Sequence, residues 1–158
     1  MSRCAQFAVA VLVVCATLST GCGPVGKDAG RLEVDYWFNA GTSMNRGKAT
    51  LLVFWEYTDS KSRGMLNIVN RIHAKYQSRG LNTVAITQLK RSDNKEIKTF
   101  VDRSKFKYSV AREKGDMMTR RFGIRRTPML LVVKDGTVVW ADDDGLALLW
   151  NPILDEWL

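Results

Sequence analysis

The three cysteines are the first residues to consider for chemistry. Cys4, Cys15 and Cys22 all lie within the first 22 residues, and positions 23–158 contain no cysteine. A thiolate nucleophile, a disulfide or a cysteine metal site requires a thiol in the folded part of the protein. The sequence therefore predicts that the folded part performs no thiol chemistry of its own.

Other reactive side chains are sparse and isolated. His73 is the only histidine in the chain, and it flanks a helical apolar stripe, so we interpret it as a structural residue. Ser62 has no suitably placed histidine base for nucleophilic catalysis. Met117 and Met118 lack the cysteine and nearby histidine that a soft copper site needs, which favours packing roles. We predict no hydrolase site, no metal and no cofactor.

The first 21 residues have the pattern of an export signal. Arg3 is their only charged residue, and the apolar run from Phe7 to Leu18 follows it. A run of this length fits the apolar core of a signal peptide, whereas a membrane-spanning helix needs about 20 residues. We therefore expect residues 1–21 to be a signal peptide.

The signal ends in a segment similar to the bacterial lipobox. Leu18-Ser19-Thr20-Gly21 precedes Cys22, and in lipoproteins a cysteine at this place is acylated and becomes the mature N-terminus. We expect Cys22 to be lipidated and residues 22–31 to form a tether. Ordinary cleavage nearby, leaving a soluble protein, is the alternative.

The remaining chain has the size and charge of one basic domain. Residues 32–158 fit a single compact domain, and the formal net charge of +8 falls only to +7 when Arg3 leaves with the signal. A basic surface favours anionic lipid headgroups, acidic partners or acidic envelope polymers. We do not expect nucleic acid as a partner of an exported protein.

Apolar periodicity predicts that strands and helices alternate along this domain. Continuous apolar runs indicate buried strands, apolar residues at intervals of three and four indicate helices, and Lys134-Asp135-Gly136 indicates a hairpin turn. A strand, helix and strand in succession should form a right-handed crossover. The predicted elements are a strand or lead-in at Leu32–Phe38, a strand at Ala49–Trp55, a helix through Met65, Val69, Ile72 and Tyr76 that Gly80 ends, a strand at Thr83–Thr87, a helix capped by Asp93 and Glu96 that contains Ile97, Phe100 and Val101, a short helix at Asp116–Phe122, hairpin strands at Met129–Val133 and Thr137–Trp140, and a final helix through Leu146, Leu149, Ile153, Leu154 and Trp157 that Pro152 enters or divides.

Two segments of this domain have a distinctive order of residues: Phe54-Trp55-Glu56-Tyr57-Thr58-Asp59-Ser60-Lys61-Ser62-Arg63 and Phe122-Gly123-Ile124-Arg125-Arg126-Thr127-Pro128-Met129. They resemble segments of the TlpA-like redoxins of the thioredoxin-like superfamily. In that family the first buried strand ends in Phe-Trp and leads into Trp-Cys-x-x-Cys-Arg, and a later aromatic-Gly-Val-x-x-Thr-Pro segment carries a cis proline that faces the cysteines. The resemblance covers roughly residues 34–158 and implies an α/β thioredoxin-like fold with a central mixed sheet flanked by helices.

This sequence differs from the family at the two positions where the family has its active-site cysteines. Asp59 stands at the place of the nucleophilic cysteine and Ser62 at that of the resolving cysteine. Neither a carboxylate nor a hydroxyl can exchange disulfides near neutral pH. We therefore predict a degenerate site with no catalytic residue, in a protein that is not itself a thiol-disulfide oxidoreductase.

The altered site has two interpretations. Asp59 would cap the helix that follows it, and the basic residues around it would form an ordinary solvated surface with Asp59 paired to an arginine. Alternatively, the same surface binds an extended peptide or an anion, because a sheet edge near a cis proline offers backbone hydrogen bonds. The binding residues of this second hypothesis are Thr58, Asp59, Ser60, Lys61, Ser62, Arg63, Arg125, Arg126, Thr127 and Pro128.

The functional prediction follows from the export signal and the degenerate site. We expect a redox-inactive, thioredoxin-fold lipoprotein of the bacterial cell envelope, on the periplasmic face of the inner or outer membrane if the cell is Gram-negative. Its expected partners are the membrane, through the lipid, and an envelope protein or peptide. One alternative is a thiol-disulfide oxidoreductase role in envelope redox homeostasis, with the chemistry supplied by a partner's cysteines. A purely structural role is another.

Overall fold

The computed structural model describes residues 23–88, 94–150 and 152–158. The predicted signal peptide, Cys22 and Asp93 lie outside these residues. Within them the chain forms one six-stranded sheet, four α-helices and two short 3-10 helices. The elements are β1 (Val34–Trp37), β2 (Ala49–Trp55), α1 (Ser60–Tyr76), a 3-10 helix (Gln77–Arg79), β3 (Leu81–Thr87), α2 (Asn94–Ser104), β4 (Ser109–Glu113), α3 (Met117–Phe122), β5 (Met129–Lys134), β6 (Thr137–Asp142), α4 (Leu146–Trp150) and a second 3-10 helix (Pro152–Glu156).

The sheet is mixed, as the sequence predicts. Its strand order is β1-β4-β3-β2-β5-β6. β2 pairs in parallel with β3 and antiparallel with β5, so it lies inside the sheet. All seven residues of β2 are buried, which explains why the strand has a continuous apolar run rather than an alternating one.

The sheet buries a separate apolar cluster on each face. One cluster joins alternate β2 residues such as Leu51 and Val53 to the predicted helical stripe of α1. The other joins Leu52 and Phe54 to α3, where Phe122 meets Phe54 edge to face at 5.8 Å between ring centroids. Helices therefore cover both faces of β2, and its carboxyl end and the start of α1 are held between two packed layers.

Local signals set most of the element boundaries. Gly80 follows the 3-10 helix after α1 and has φ 109°, a conformation that suits glycine. Asp135 and Gly136 have φ values of 49° and 77°, which form the tight turn predicted between β5 and β6. Pro152 begins the second 3-10 helix, so the terminal helix is divided there. These boundaries agree with the sequence predictions.

The structure corrects the prediction at β4 and at the start of α3. β4 was not predicted, although it lies between β1 and β3. Asp116 precedes α3, but its side chain makes no capping bond. Glu113, only 1% exposed, accepts hydrogen bonds from Met118 N and Thr119 N, each at 2.9 Å. The carboxylate that satisfies the first turn of α3 therefore comes from the end of β4.

The segment ahead of β1 packs against the outer strand β6. Gly26 N donates to Val138 O at 2.8 Å, Val138 N donates to Lys27 O at 3.0 Å, and Ala29 N donates to Gly136 O at 2.8 Å. Ala29 is fully buried. This part of the predicted tether therefore covers the free edge of the sheet.

None of the helices in the described ranges combines the length and apolar composition that crossing a bilayer requires.

Candidate functional site

The candidate site lies where β2 ends and α1 begins. Asp59 is the residue before α1, with extended backbone angles. Its carboxylate accepts hydrogen bonds from Lys61 N at 3.2 Å and Ser62 N at 2.8 Å. Asp59 therefore satisfies two of the N–H groups that a helix leaves unpaired at its start, as the capping interpretation predicts.

The surroundings of Asp59 favour its charged form. The Ser62 hydroxyl makes no bond with good hydrogen-bond geometry, yet its closeness to the carboxylate is the largest cause that lowers the pKa of Asp59. Partial burial opposes this shift, and the two backbone N–H groups and the charge of Lys61 add to it. A negative charge at this end of the helix is also favoured by the helix dipole.

We expect Asp59→Ala to lower the free energy of unfolding by about 1 kcal/mol at pH 7, because a helix cap is lost. The lowered pKa means that the folded state binds the proton less tightly than the unfolded state, so the stabilisation is full above about pH 4 and disappears as the pH falls through the folded pKa. Urea unfolding of both proteins from pH 7 downward measures this difference. A difference that stays constant below pH 3 would show that the charge of Asp59 is irrelevant.

Ser62 and its neighbours differ in their access to solvent. Ser62 is 0% exposed, so its side chain faces the core. Thr58 and Ser60 are exposed, and Thr58 Oγ1 donates to Glu56 Oε1 at 3.0 Å. Of the predicted binding residues in this turn, Ser62 therefore lies beneath the surface that a partner would meet.

Arg63 is held against the turn that precedes the helix. Its guanidinium donates a hydrogen bond to Tyr57 O and lies 5.8 Å from the centre of the Tyr57 ring. This contact fixes the backbone between β2 and α1. Arg63 therefore stabilises the turn before α1 through its contacts with Tyr57.

The second predicted segment runs from α3 to β5. Gly123 ends α3 with φ 69°, Arg125 and Arg126 are exposed, and Thr127 is half-buried. Pro128 is buried, and the Thr127–Pro128 peptide bond is cis, as the family resemblance implies. The two arginines therefore stand at the surface next to an anchored proline.

Asp143 joins these two segments. Its Oδ2 atom lies 3.8 Å from Lys61 Nζ and 3.4 Å from Arg126 Nη2. Lys61 of α1 and Arg126 of the loop before β5 therefore share one carboxylate oxygen as an ion-pair partner. Both cations are largely exposed, so these pairs add little to stability.

This arrangement corrects one detail of the sequence interpretation. Asp143 is the carboxylate that pairs with Arg126, whereas the capping interpretation assigned an arginine partner to Asp59. Asp143 follows β6 in an acidic run of three residues, whose only sequence signal was that of a solvated turn. It was therefore missed as part of the site.

A cavity adjoins the same turn. It has a volume of about 340 Å³ and lies between the turn after β2 and helix α2. The rings of Tyr57 and Phe100 meet edge to face in it, 5.7 Å apart between centroids, and Lys95, Glu96 and Arg103 also line it. Aromatic and charged surfaces thus lie together beside the start of α1.

His73 and Met118, two of the isolated reactive residues, are buried in the protein. His73 is 9% exposed, and its Nδ1 atom lies 3.1 Å from Thr83 Oγ1. Burial lowers the pKa of His73, while contacts with Gln77 and with the Lys107 backbone partly oppose the shift. Met118 is fully buried in the core, and Met117 is 40% exposed.

The arrangement of the sheet, the helices and the cis-proline loop is similar to that of several solved structures. A thioredoxin-like protein solved in its oxidized form has a TM-score of 0.72 and 20% identity, covering 85% of this chain and 99% of that one. A putative thiol:disulfide interchange protein DsbE from Chlorobium tepidum has a TM-score of 0.71 and 18% identity, covering 85% and 98%. The chain therefore has a thioredoxin-like fold.

Sequence comparison finds curated proteins that are similar to this chain. The thiol-disulfide oxidoreductase ResA of Bacillus anthracis is 29% identical over 97 residues, which are 60% of this chain and 54% of that protein. No protein-family model matches. The chain is similar in sequence to these thiol-disulfide oxidoreductases, and it spans about half the length of the curated relatives it matches.

Proposed function

We propose that this protein is a redox-inactive redoxin that binds a protein or peptide partner through the surface formed by the start of α1 and residues 125–128. The observation that carries the proposal is the Asp59 carboxylate, which accepts bonds from Lys61 N and Ser62 N at the helix start. By the family resemblance this is the place of the nucleophilic thiol. Here an anion that cannot exchange disulfides occupies it.

The proposal of redox inactivity is supported by the lack of both an attacking thiol and a resolving thiol. Positions 23–158 contain no cysteine, so the mature domain can neither attack a disulfide nor release a mixed one. Ser62, at the resolving position of the family, is fully buried. A hydroxyl there lacks the acidity that thiol chemistry needs.

The proposed binding surface combines charge with apolar area. Arg125, Arg126 and Lys61 are exposed at the site, and the Tyr57–Phe100 cavity lies next to it. Aromatic pockets with cations nearby suit a peptide that carries an apolar side chain and a carboxylate. Such a partner would compete with Asp143 for Arg126, so binding should weaken as salt rises.

We further propose that the protein is exported and anchored at the cell envelope by a lipid on Cys22. The apolar run before Cys22 supports this. Among structural relatives, a disulfide oxidoreductase of Mycobacterium tuberculosis with a TM-score of 0.53 is described as secreted. Mass analysis of the N-terminal peptide tests the anchor, and an unmodified Cys22 would contradict it.

Crosslinking in intact cells tests the binding surface. A photoreactive residue at position 58 or 126 should capture the same envelope partner, because both positions are exposed at the site. Position 78, exposed in the 3-10 helix after α1, is the matched control. Capture from position 58 should fall about tenfold in an Arg125→Glu/Arg126→Glu variant. Equal capture at all three positions, or no loss on charge reversal, would contradict the proposal.

The similarity to curated thiol-disulfide oxidoreductases favours a second candidate function. In it, the protein would support disulfide exchange whose thiols belong to a partner. Insulin reduction and peroxide reduction distinguish the two. Turnover by the purified protein alone would overturn redox inactivity, whereas turnover only when a partner is added would favour the second function.

A further inference from the structure

A larger cavity lies at the opposite end of the sheet from the candidate site. Its volume is about 530 Å³, within the usual range for pockets that bind small molecules. Leu81, the first residue of β3, lines it, whereas the candidate site lies beyond the last residues of β2. The residues around the two sites do not overlap, so we call this one the basal cavity.

Most polar side chains in the wall of the basal cavity are engaged with other protein groups. Asn39 donates to Tyr108 O and accepts from Val110 N, each at 2.8 Å. Thr42 Oγ1 donates to Asn82 Oδ1 at 3.2 Å, and Asn82 Nδ2 donates to Ser43 O at 2.9 Å. The wall is therefore held in place by its own bonds, as a preformed pocket requires.

Two cations line the basal cavity without an ion pair among the described residues. Arg46 and Lys107 are exposed, and the ion pairs of the described chain involve neither. None of the described residues that line the cavity is acidic. Its electrostatic potential is therefore positive, with two charges available to a ligand.

His73 and an aromatic pair complete the wall. Burial lowers the pKa of His73 and so favours its neutral form; the permanent positive charges are those of Arg46 and Lys107. Phe106 and Tyr108 stack at 5.2 Å between ring centroids and line the same cavity. Phe106 and Tyr108 are 9% and 4% exposed, so the cavity offers a small apolar surface as well as charge.

We propose that the basal cavity binds a small phosphate monoester, with its phosphate on Arg46 and Lys107 and its organic part against the wall near Phe106. A phosphate monoester has a charge of about −1.5 to −2 at pH 7 and three acceptor oxygens, which matches two cations better than a single carboxylate does. Arginine donates in a fork that fits phosphate, and lysine adds a point charge.

An NMR titration with phenyl phosphate tests this site. His73 is the only histidine, so its imidazole Cε1–H signal is unambiguous and reports on the cavity it lines. Phenyl phosphate should shift this signal in a saturable manner, and benzoate and phenol should bind more weakly. No saturable shift up to about 10 mM, or equal binding of phenol, would overturn the proposal.

Matched variants separate a built site from general surface charge. Arg46→Ala/Lys107→Ala should weaken phenyl phosphate binding about tenfold or more. Lys114→Ala/Lys134→Ala removes the same charge away from the cavity and should leave binding unchanged. An equal loss of phenyl phosphate binding in both variants would show that only the net charge of the protein matters, and it would overturn the proposed site. Unchanged melting temperatures confirm that these substitutions leave the fold intact.

The phosphate group could belong to a soluble ester or to a lipid headgroup, and vesicles distinguish these sources. Phosphatidylcholine vesicles containing phosphatidic acid present a monoester, whereas those containing phosphatidylglycerol present a diester. Co-sedimentation that is stronger with phosphatidic acid and is lost in Arg46→Ala/Lys107→Ala assigns the site to a lipid. Equal co-sedimentation with both lipids, together with phenyl phosphate binding, assigns it to a soluble ester.

Discussion

Asp59→Cys/Ser62→Cys should give this protein an insulin-reducing activity, which we expect the unaltered protein to lack. The two positions are three residues apart at the start of α1, and Asp59 already accepts bonds from Lys61 N and Ser62 N. A thiolate at position 59 would receive the same N–H groups and the same helix dipole. These lower the pKa of such a thiol from about 8.5 toward about 7 in Cys-x-x-Cys pairs. Insulin turbidity with dithiothreitol measures the gain.

Single substitutions provide the matched controls for this gain. Asp59→Cys alone should form mixed disulfides without turnover, because no second thiol releases them. Ser62→Cys alone should react slowly, since position 62 is fully buried. If the double variant forms no internal disulfide, the two positions do not correspond to the family's cysteine pair. The unaltered protein should stay at background throughout.

Gly47→Ala should be strongly destabilising, by about 1–3 kcal/mol or more. A β-carbon at position 47 would lie 2.2 Å from the Gly80 carbonyl oxygen. That oxygen belongs to the backbone and accepts a hydrogen bond from Lys48 N at 2.9 Å, so it cannot move aside as a flexible side chain would. We expect a lower urea midpoint with an unchanged slope.

Gly64→Ala is the matched control and should have the opposite sign. Gly64 lies inside α1, and a β-carbon there meets no atom within 4 Å. Alanine in a helix is favoured over glycine by about 0.5–1 kcal/mol. The same urea experiment should therefore show stabilisation. Equal effects of the two substitutions would mean that glycine content, rather than the contact at Gly80, governs stability.

Much of the fold could be predicted because its elements carry strong local signals. β2 is a continuous apolar run, and α1 has a stripe that ends in glycine, so both were predicted close to their observed bounds. The turn at Asp135 and Gly136 was equally clear. The order of these elements, with Thr127–Pro128 placed between them, was enough to indicate the thioredoxin-like arrangement.

Other features depend on contacts between distant parts of the chain. β4 offers only Val110 and Ala111 as successive apolar residues, and its place between two strands comes from pairing partners that the local sequence does not reveal. Glu113 and Asp143 look like ordinary surface acids in the sequence. Their roles at α3 and at Arg126 arise only when separate elements meet.

The attachment of residues 26–29 to β6 limits how far the domain can stand from a membrane. If Cys22 carries a lipid, only four peptide units separate it from Gly26, whose N–H is bonded to Val138 O. Fully extended, four residues span about 14 Å, less than half the thickness of a bilayer's hydrocarbon core. The domain would then rest beside the headgroups with β6 nearby. Partners free in solution would then have to approach the membrane surface to reach it.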